Sequence, residues 1–187
     1  MGQYYKPCIV NEEKTVVIYS TTPWNWGCFA KLMEHSWYGN TLVRVAIEML
    51  KGKKVRFAWV GDYSDPHGGN ENNFYEMEGG KDFSDVLETE NGKSFFGEDC
   101  IGPKGDCGQA KYSINYDKKC AVRLQEDPDE PIHPLPLLTA DGNGRGGGDY
   151  HDGDFLSLVG SWAYDHIGAG DEVPDGFEVD TLFFHEY

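Results

Sequence analysis

One stretch, Thr41–Lys51, carries the clearest helical period in the chain, and it is short. Leu42, Val45, Ala46, Met49 and Leu50 recur at i, i+3 and i+4 spacing, which makes one side of the segment apolar. Gly39-Asn40-Thr41 offers its N-cap, and Gly52 suits the position just past its end. A shorter helix fits Phe29–His35, with Phe29, Leu32 and Met33 on one face. The other ordered runs read as strands: Val16–Tyr19, Val55–Val60, a hairpin of Tyr112–Tyr116 and Cys120–Leu124 around Asp117-Lys118, and closing strands at Leu158–Tyr164 and Glu178–Phe184. Residues 64–110 read as long excursions with a short helix near Phe83–Glu88. The expected fold is α+β: a single compact domain over residues 1–187, an antiparallel or mixed sheet with two N-terminal helices packed on one face.

Charge is divided unevenly along the chain. Residues 1–60 hold eight Lys/Arg against four Asp/Glu, a balance of +4; residues 61–187 hold eight against 28, a balance of −20. A field of that sign repels nucleic acid and anionic membranes and attracts basic proteins and cations. Plain solubility is the partner-free alternative. The N-terminus lacks a basic start followed by an apolar run, so no signal peptide is expected. The longest apolar stretch, Leu42–Leu50, is interrupted by Arg44 and Glu48 and is too short to span a bilayer. Five cysteines at irregular spacing, Cys8, Cys28, Cys100, Cys107 and Cys120, give no CxxC pair and read as reduced thiols of a cytosolic protein.

MGQYY at 1–5, KLMEHS at 31–36, AWVGDY at 58–63, HPLPLLTADGNGRGGGDY at 133–150 and LVGSWAYD at 158–165 are spread over nearly the whole chain. In these pieces the chain resembles an uncharacterised family of small bacterial and phage proteins. The resemblance implies a protein of the bacterial cytoplasm that travels with phages and mobile elements. In that setting a small acidic protein looks like an anti-defence protein, such as an anti-CRISPR protein.

The glycine-rich stretch Asp141–Asp152 carries the most unusual local chemistry. Laid on a twelve-residue calcium loop it supplies Asp141, Asn143, Asp149 and Asp152 as oxygen ligands, with Gly146 at the sharp turn. Arg145 falls on a ligand position, and Asp152 is shorter than the bidentate Glu expected last. As a phosphate cradle the stretch lacks the Walker lysine and dinucleotide glycine spacing, and no strand is expected before it because His133-Pro-Leu-Pro is proline-broken. The preferred reading is a tight structural turn that holds neither metal nor cofactor. His151 and His166 lie near carboxylates in sequence, but no HExxH, GxSxG or Cys–His signature appears. Lys51, Lys53, Lys54 and Arg56 read as charge favoured at a helix C-terminus, and all five tryptophans read as core.

The remaining feature is acidity itself. Glu76, Glu78, Asp82, Asp85 and Glu88, then Asp127, Asp129 and Glu130, are the expected partner-binding carboxylates, followed by Asp171, Glu172, Asp175 and Asp180. Carboxylates a few residues apart on a rigid frame imitate a phosphate backbone and can occupy a Lys/Arg-lined groove. Phe74, Tyr75, Phe83, Phe95 and Phe96 interleave with them as candidate anchors. The expected function is a non-catalytic, acidic, phage-type inhibitor of a host defence nuclease such as a CRISPR-Cas effector. Its expected partner is a basic nucleic-acid-handling protein, with no direct nucleic acid or membrane binding. The alternative is a small enzyme or nucleotide- or metal-binding protein that uses the 141–154 loop.

Overall fold

A computed structural model describes residues 3–28, 30–78, 80–91, 108–124, 132–142 and 157–181. They form one mixed sheet with few helices. The strands are β1 (Tyr5–Val10), β2 (Val17–Ser20), β3 (Val55–Gly61), β4 (Lys81–Asp82), β5 (Tyr112–Asn115), β6 (Cys120–Arg123), β7 (Ala140–Asp141), β8 (His166–Gly170) and β9 (Glu178–Asp180). The lateral order is β4-β2-β1-β3-β8-β5-β6-β9, with β7 beside β3. The β2–β4, β3–β7 and β6–β9 pairs are parallel and the others antiparallel.

The centre is β1 on β3, with Ile9 opposite Phe57 and Cys8 opposite Ala58. Side chains alternate between the two faces of a strand. On one face Tyr5, Ile9, Phe57 and Trp59 join the larger core; on the other Cys8, Val10, Ala58 and Val60 join a smaller one with Val17, Phe74 and Tyr164. Covering both faces leaves every residue of β1 buried, Lys6 and Pro7 included. Lys6 tolerates this by laying its ammonium 5.3 Å from the centre of the Tyr75 ring.

Helix α2 (Thr41–Leu50) supplies the apolar side of the larger core through Leu42, Val45, Ala46, Met49 and Leu50. Asn40, not Thr41, is its N-cap, accepting from Leu42 N at 2.8 Å. Gly52, just past its end, has φ +64°. Before it, α1 (Leu32–His35) is a single turn of helix. Helix α3 (Phe83–Asn91) buries Phe83 and Leu87.

Residues 132–165 depart most from expectation. His133-Pro-Leu-Pro136, read as a proline-broken extended run, instead opens a short helix, α4 (Pro134–Leu138), capped by His133, whose Nδ1 accepts from Leu135 N. Proline sits comfortably in a first helical turn because that turn's N–H is orphaned anyway. A two-residue strand, β7, then leads into the glycine-rich stretch, where none was expected. Residues 157–164 form successive turns rather than the expected strand. Gly160 has φ +73°, and a Cβ there would lie 2.6 Å from Ala140 O. The turns bond back onto α4 through Gly160 N to Leu137 O and Trp162 N to Leu138 O. Trp162 is nevertheless buried, as is Trp59. The expected hairpin and the β3 strand are present, and the closing strand is confined to Glu178–Asp180 within the described residues. Among those residues no helix is long and apolar enough to cross a membrane.

Candidate functional site

The expected partner-binding carboxylates do not share one environment. Glu76, Glu78 and Asp85 are exposed near the β4 edge of the sheet. Asp82 is half-buried and occupied. Its Oδ1 accepts from Ser84 N at 2.8 Å and Ser84 Oγ at 2.6 Å, and its Oδ2 from Asn25 Nδ2 at 2.7 Å and Thr21 Oγ1 at 3.0 Å. It starts α3 and ties it to the 21–25 turn. Glu88 lies on α3. Asp127, Asp129 and Glu130 lie outside the described residues. Asp171 and Glu172, just past the interior strand β8, and Asp175, Glu178 and Asp180, leading into and along the opposite edge strand β9, are all exposed. None of those five forms an ion pair among the described residues; Asp171 accepts from Lys111 N at 3.1 Å.

The expected aromatic anchors divide as well. Phe74 and Phe83 are fully buried core, Tyr75 is half-buried, and Phe95 and Phe96 lie outside the described residues. Trp24, expected in the core, is 65% exposed on a 3₁₀ turn at Pro23–Trp26, and Trp37 is 39% exposed. Both sit in short irregular segments where no helical or strand period fixes a buried face.

The glycine-rich stretch enters the described structure through Asp141; Asn143, Asp149 and Asp152 lie outside it, as do Arg145 and His151. Parallel pairing sets Asp141 beside Val60, on the face with the smaller core. There its Oδ2 accepts from Tyr164 OH at 2.5 Å and lies 2.9 Å from His67 Nε2. His67 stacks on Phe74 at 5.6 Å and meets Tyr164 edge-on at 4.7 Å. The His67 loop is held by Gly68 at φ +63°, where a Cβ would lie 2.5 Å from Lys14 O. Tyr164 itself has φ +63°, a conformation uncommon for a bulky residue.

Burial first, and then the Asp141 charge, push the Tyr164 phenol far above its ordinary value, so it remains a donor. Behind it Cys8 is fully buried. Burial raises its thiol to about 12, with Asp141 adding to the rise and Lys6 opposing it. Cys8 is therefore a protonated thiol, not a nucleophile. Ser64 Oγ is occupied, donating to Gly61 O at 2.8 Å. The arrangement orients one imidazole with a carboxylate, and among the described residues no activated nucleophile lies beside it. Among the described residues no group of three or more His, Cys, Asp and Glu side chains could hold a metal ion.

His166 does meet carboxylates, but as a cross-link. Its Nδ1 lies 2.8 Å from Asp117 Oδ1 and its Nε2 3.0 Å from Glu12, which also accepts from Arg56 Nε at 2.9 Å. Both ring nitrogens are engaged, which leaves none for proton transfer to a substrate. The His166 hydrogen bond and the Arg56 bond hold Glu12 below the usual carboxylate range against some burial. For Asp117, burial raises the carboxyl but the bonds from His166 outweigh it, and the net shift is downward. His67, by contrast, carries no sequence signal: it stands 74 residues from Asp141 and meets it only through the β3–β7 pairing.

Compared with protein-family models, curated proteins and solved structures, the chain matches none.

Proposed function

We propose that this chain is an acidic binding protein that occupies a basic, nucleic-acid-binding groove on a partner and thereby inhibits it. The observation that carries the proposal is the acidic run from the end of β8 to β9. Five carboxylates within ten residues, Asp171 to Asp180, are exposed and without ion pairs among the described residues. No cation among the described residues neutralises their charge, which supports their steering a basic partner. The sequence resemblance supports a partner in host defence, such as a CRISPR-Cas effector, and a site of action in the bacterial cytoplasm. The same proposal takes residues 1–187 as one domain with its two N-terminal helices on one face of the sheet.

The test is displacement of fluorescent duplex DNA or guide RNA from a panel of basic nucleases, Cas effectors among them, by stoichiometric protein at about 50 mM salt. Displacement from at least one nuclease, lost at about 500 mM salt, is the expected result. Inhibition that persists with nucleic acid already bound and at high salt contradicts groove occupation.

A second reading, a small enzyme or ligand-binding protein built on the 141–154 loop, is favoured by one observation: the His67–Asp141–Tyr164 cluster at the entrance to that loop. Inactivation of a nuclease by substoichiometric protein, abolished by His67→Gln, would establish it over simple binding.

A further inference from the structure

Strand β9 is the last in the lateral order of the sheet, and its far side meets no other strand among the described residues. On its near side it runs parallel to β6, with Cys120 opposite Glu178 and Val122 opposite Asp180. Glu178 N donates to Lys119 O at 3.0 Å. The N–H groups of consecutive strand residues point to opposite edges, so Glu178 and Asp180 bond toward β6 and Val179 turns its N–H and C=O outward. Among the described residues the Val179 backbone forms no bond on that outer side. Val179 is 51% exposed, and Glu178, Asp180 and Thr181 beside it are exposed as well. Side chains alternate along the strand, with Glu178 and Asp180 on one face and Val179 on the other.

An open edge is a template for one more strand, and its side chains decide which one. A second copy of this chain is disfavoured, because antiparallel pairing of β9 with itself about Val179 sets Glu178 against Asp180 on both sides, and like charges directly opposite are destabilising. A basic strand is favoured for the same reason with the sign reversed. In an antiparallel pair the residue directly opposite Val179 exchanges both backbone bonds with it, and its two neighbours stand across from Glu178 and Asp180. An apolar residue flanked by two Lys or Arg therefore matches both faces of β9 at once. Asp175, five residues before Asp180, extends the same charge along the approach to the strand.

We propose that β9 is a docking edge for a basic, extended segment of a partner protein, which adds to the sheet as a further antiparallel strand. Main-chain bonds to Val179 N–H and C=O hold the segment, and Lys or Arg at alternate positions meet Glu178 and Asp180. The inference shares these carboxylates with the inhibitor reading and goes beyond it. Groove occupation needs only side-chain charge, whereas strand addition needs the Val179 backbone, so either can fail alone.

The probe is a short blocked peptide of alternating lysine and valine, titrated into the full chain and followed by amide ¹H–¹⁵N spectra and hydrogen exchange. One control is the same peptide with its valines N-methylated, which keeps the charge and removes the backbone donors. The other alternates glutamate and valine. Saturable binding with Kd below about 1 mM, a shifted Val179 amide resonance and slower exchange of that amide are expected. N-methylation should weaken binding about ten-fold or more. Val179→Pro removes the outward N–H, keeps the Glu178 bond to β6, and should weaken binding to a similar degree. If that variant does not fold, the N-methylated peptide and the Val179 amide decide. The proposal is overturned if the lysine–valine peptide does not saturate, if either control binds as tightly, or if the Val179 amide is unmoved. It is also overturned if dilution of the chain alone shifts that amide, which marks a second copy as the occupant. Displacement of nucleic acid from a nuclease with no peptide binding at Val179 removes this inference and leaves groove occupation standing.

Discussion

The two edges of the sheet are both acidic in sequence and differ in what their carboxylates do. At the β4 edge Asp82 is spent inside the fold, accepting four hydrogen bonds that start α3 and fasten the 21–25 turn. From the end of β8 to the β9 edge Asp171, Glu172, Asp175, Glu178 and Asp180 face solvent without ion pairs among the described residues. A count of Asp and Glu therefore overstates the charge a surface offers. On the proposed function, the carboxylates that would bind a partner are those the fold does not need.

The sharpest test of that difference is stability. Asp82→Ala removes an N-cap and strands the buried Thr21 hydroxyl, and should cost about 2–3 kcal/mol in urea unfolding. Asp180→Ala should fall within about 0.5 kcal/mol of the parent. The sheet centre sets the upper end of the scale: Trp59→Ala, at 2% exposure, should cost about 3–5 kcal/mol. Equal losses for Asp82→Ala and Asp180→Ala would erase the distinction between the edges.

Acid tests the groups that the fold itself uses. Glu12 and Asp117 titrate lower in the folded chain than in the unfolded one. Their contribution is therefore complete above the unfolded value, about 4, and is lost as pH falls through the folded one. His133 acts in the same direction from higher pH. Its folded value of about 3 lies under the ordinary 6.5, so the unfolded chain takes up a proton first. Between those values each pH unit of acidification removes up to about 1.4 kcal/mol. Urea midpoints measured from pH 7 to 4 should fall, and His133→Asn should flatten most of that decline.

Legibility in the sequence follows how local the cause is. Helix α2 and the β5–β6 hairpin were readable because period, cap and turn lie within a dozen residues. Strand β1 was missed because Tyr5–Val10 is buried on both faces and contains Lys6 and Pro7, so it shows neither alternation nor a β-branched run. Leu158–Tyr164 looks like a strand by composition, yet the left-handed Gly160 and Tyr164 turn it back onto α4, a tertiary constraint no local pattern reports. The role of Asp82 was available: Asp82-Phe-Ser-Asp85 opens an apolar-periodic segment in the manner of a capping sequence. The His67–Asp141–Tyr164 cluster was not, because pairing of β3 with β7 creates it.

The smallest effects concern association. Changing Glu76 and Glu78 to lysine at the β4 edge should slow binding to a captured nuclease less than changing Asp171, Asp175 and Asp180 to lysine, with dissociation rates little altered in either case. Surface plasmon resonance distinguishes the two. A larger effect from the β4 edge would move the contact surface across the sheet.

The most direct measurement of the central claim is the association rate constant as a function of salt, from about 50 to 500 mM, over which the screening length shrinks about three-fold. It is made on a nuclease displaced from its nucleic acid, for the parent chain and the Asp171/Asp175/Asp180→Lys variant. The account predicts a steep fall for the parent and a slower, nearly flat rate for the variant. Equal rates and equal salt slopes for the two proteins would contradict it.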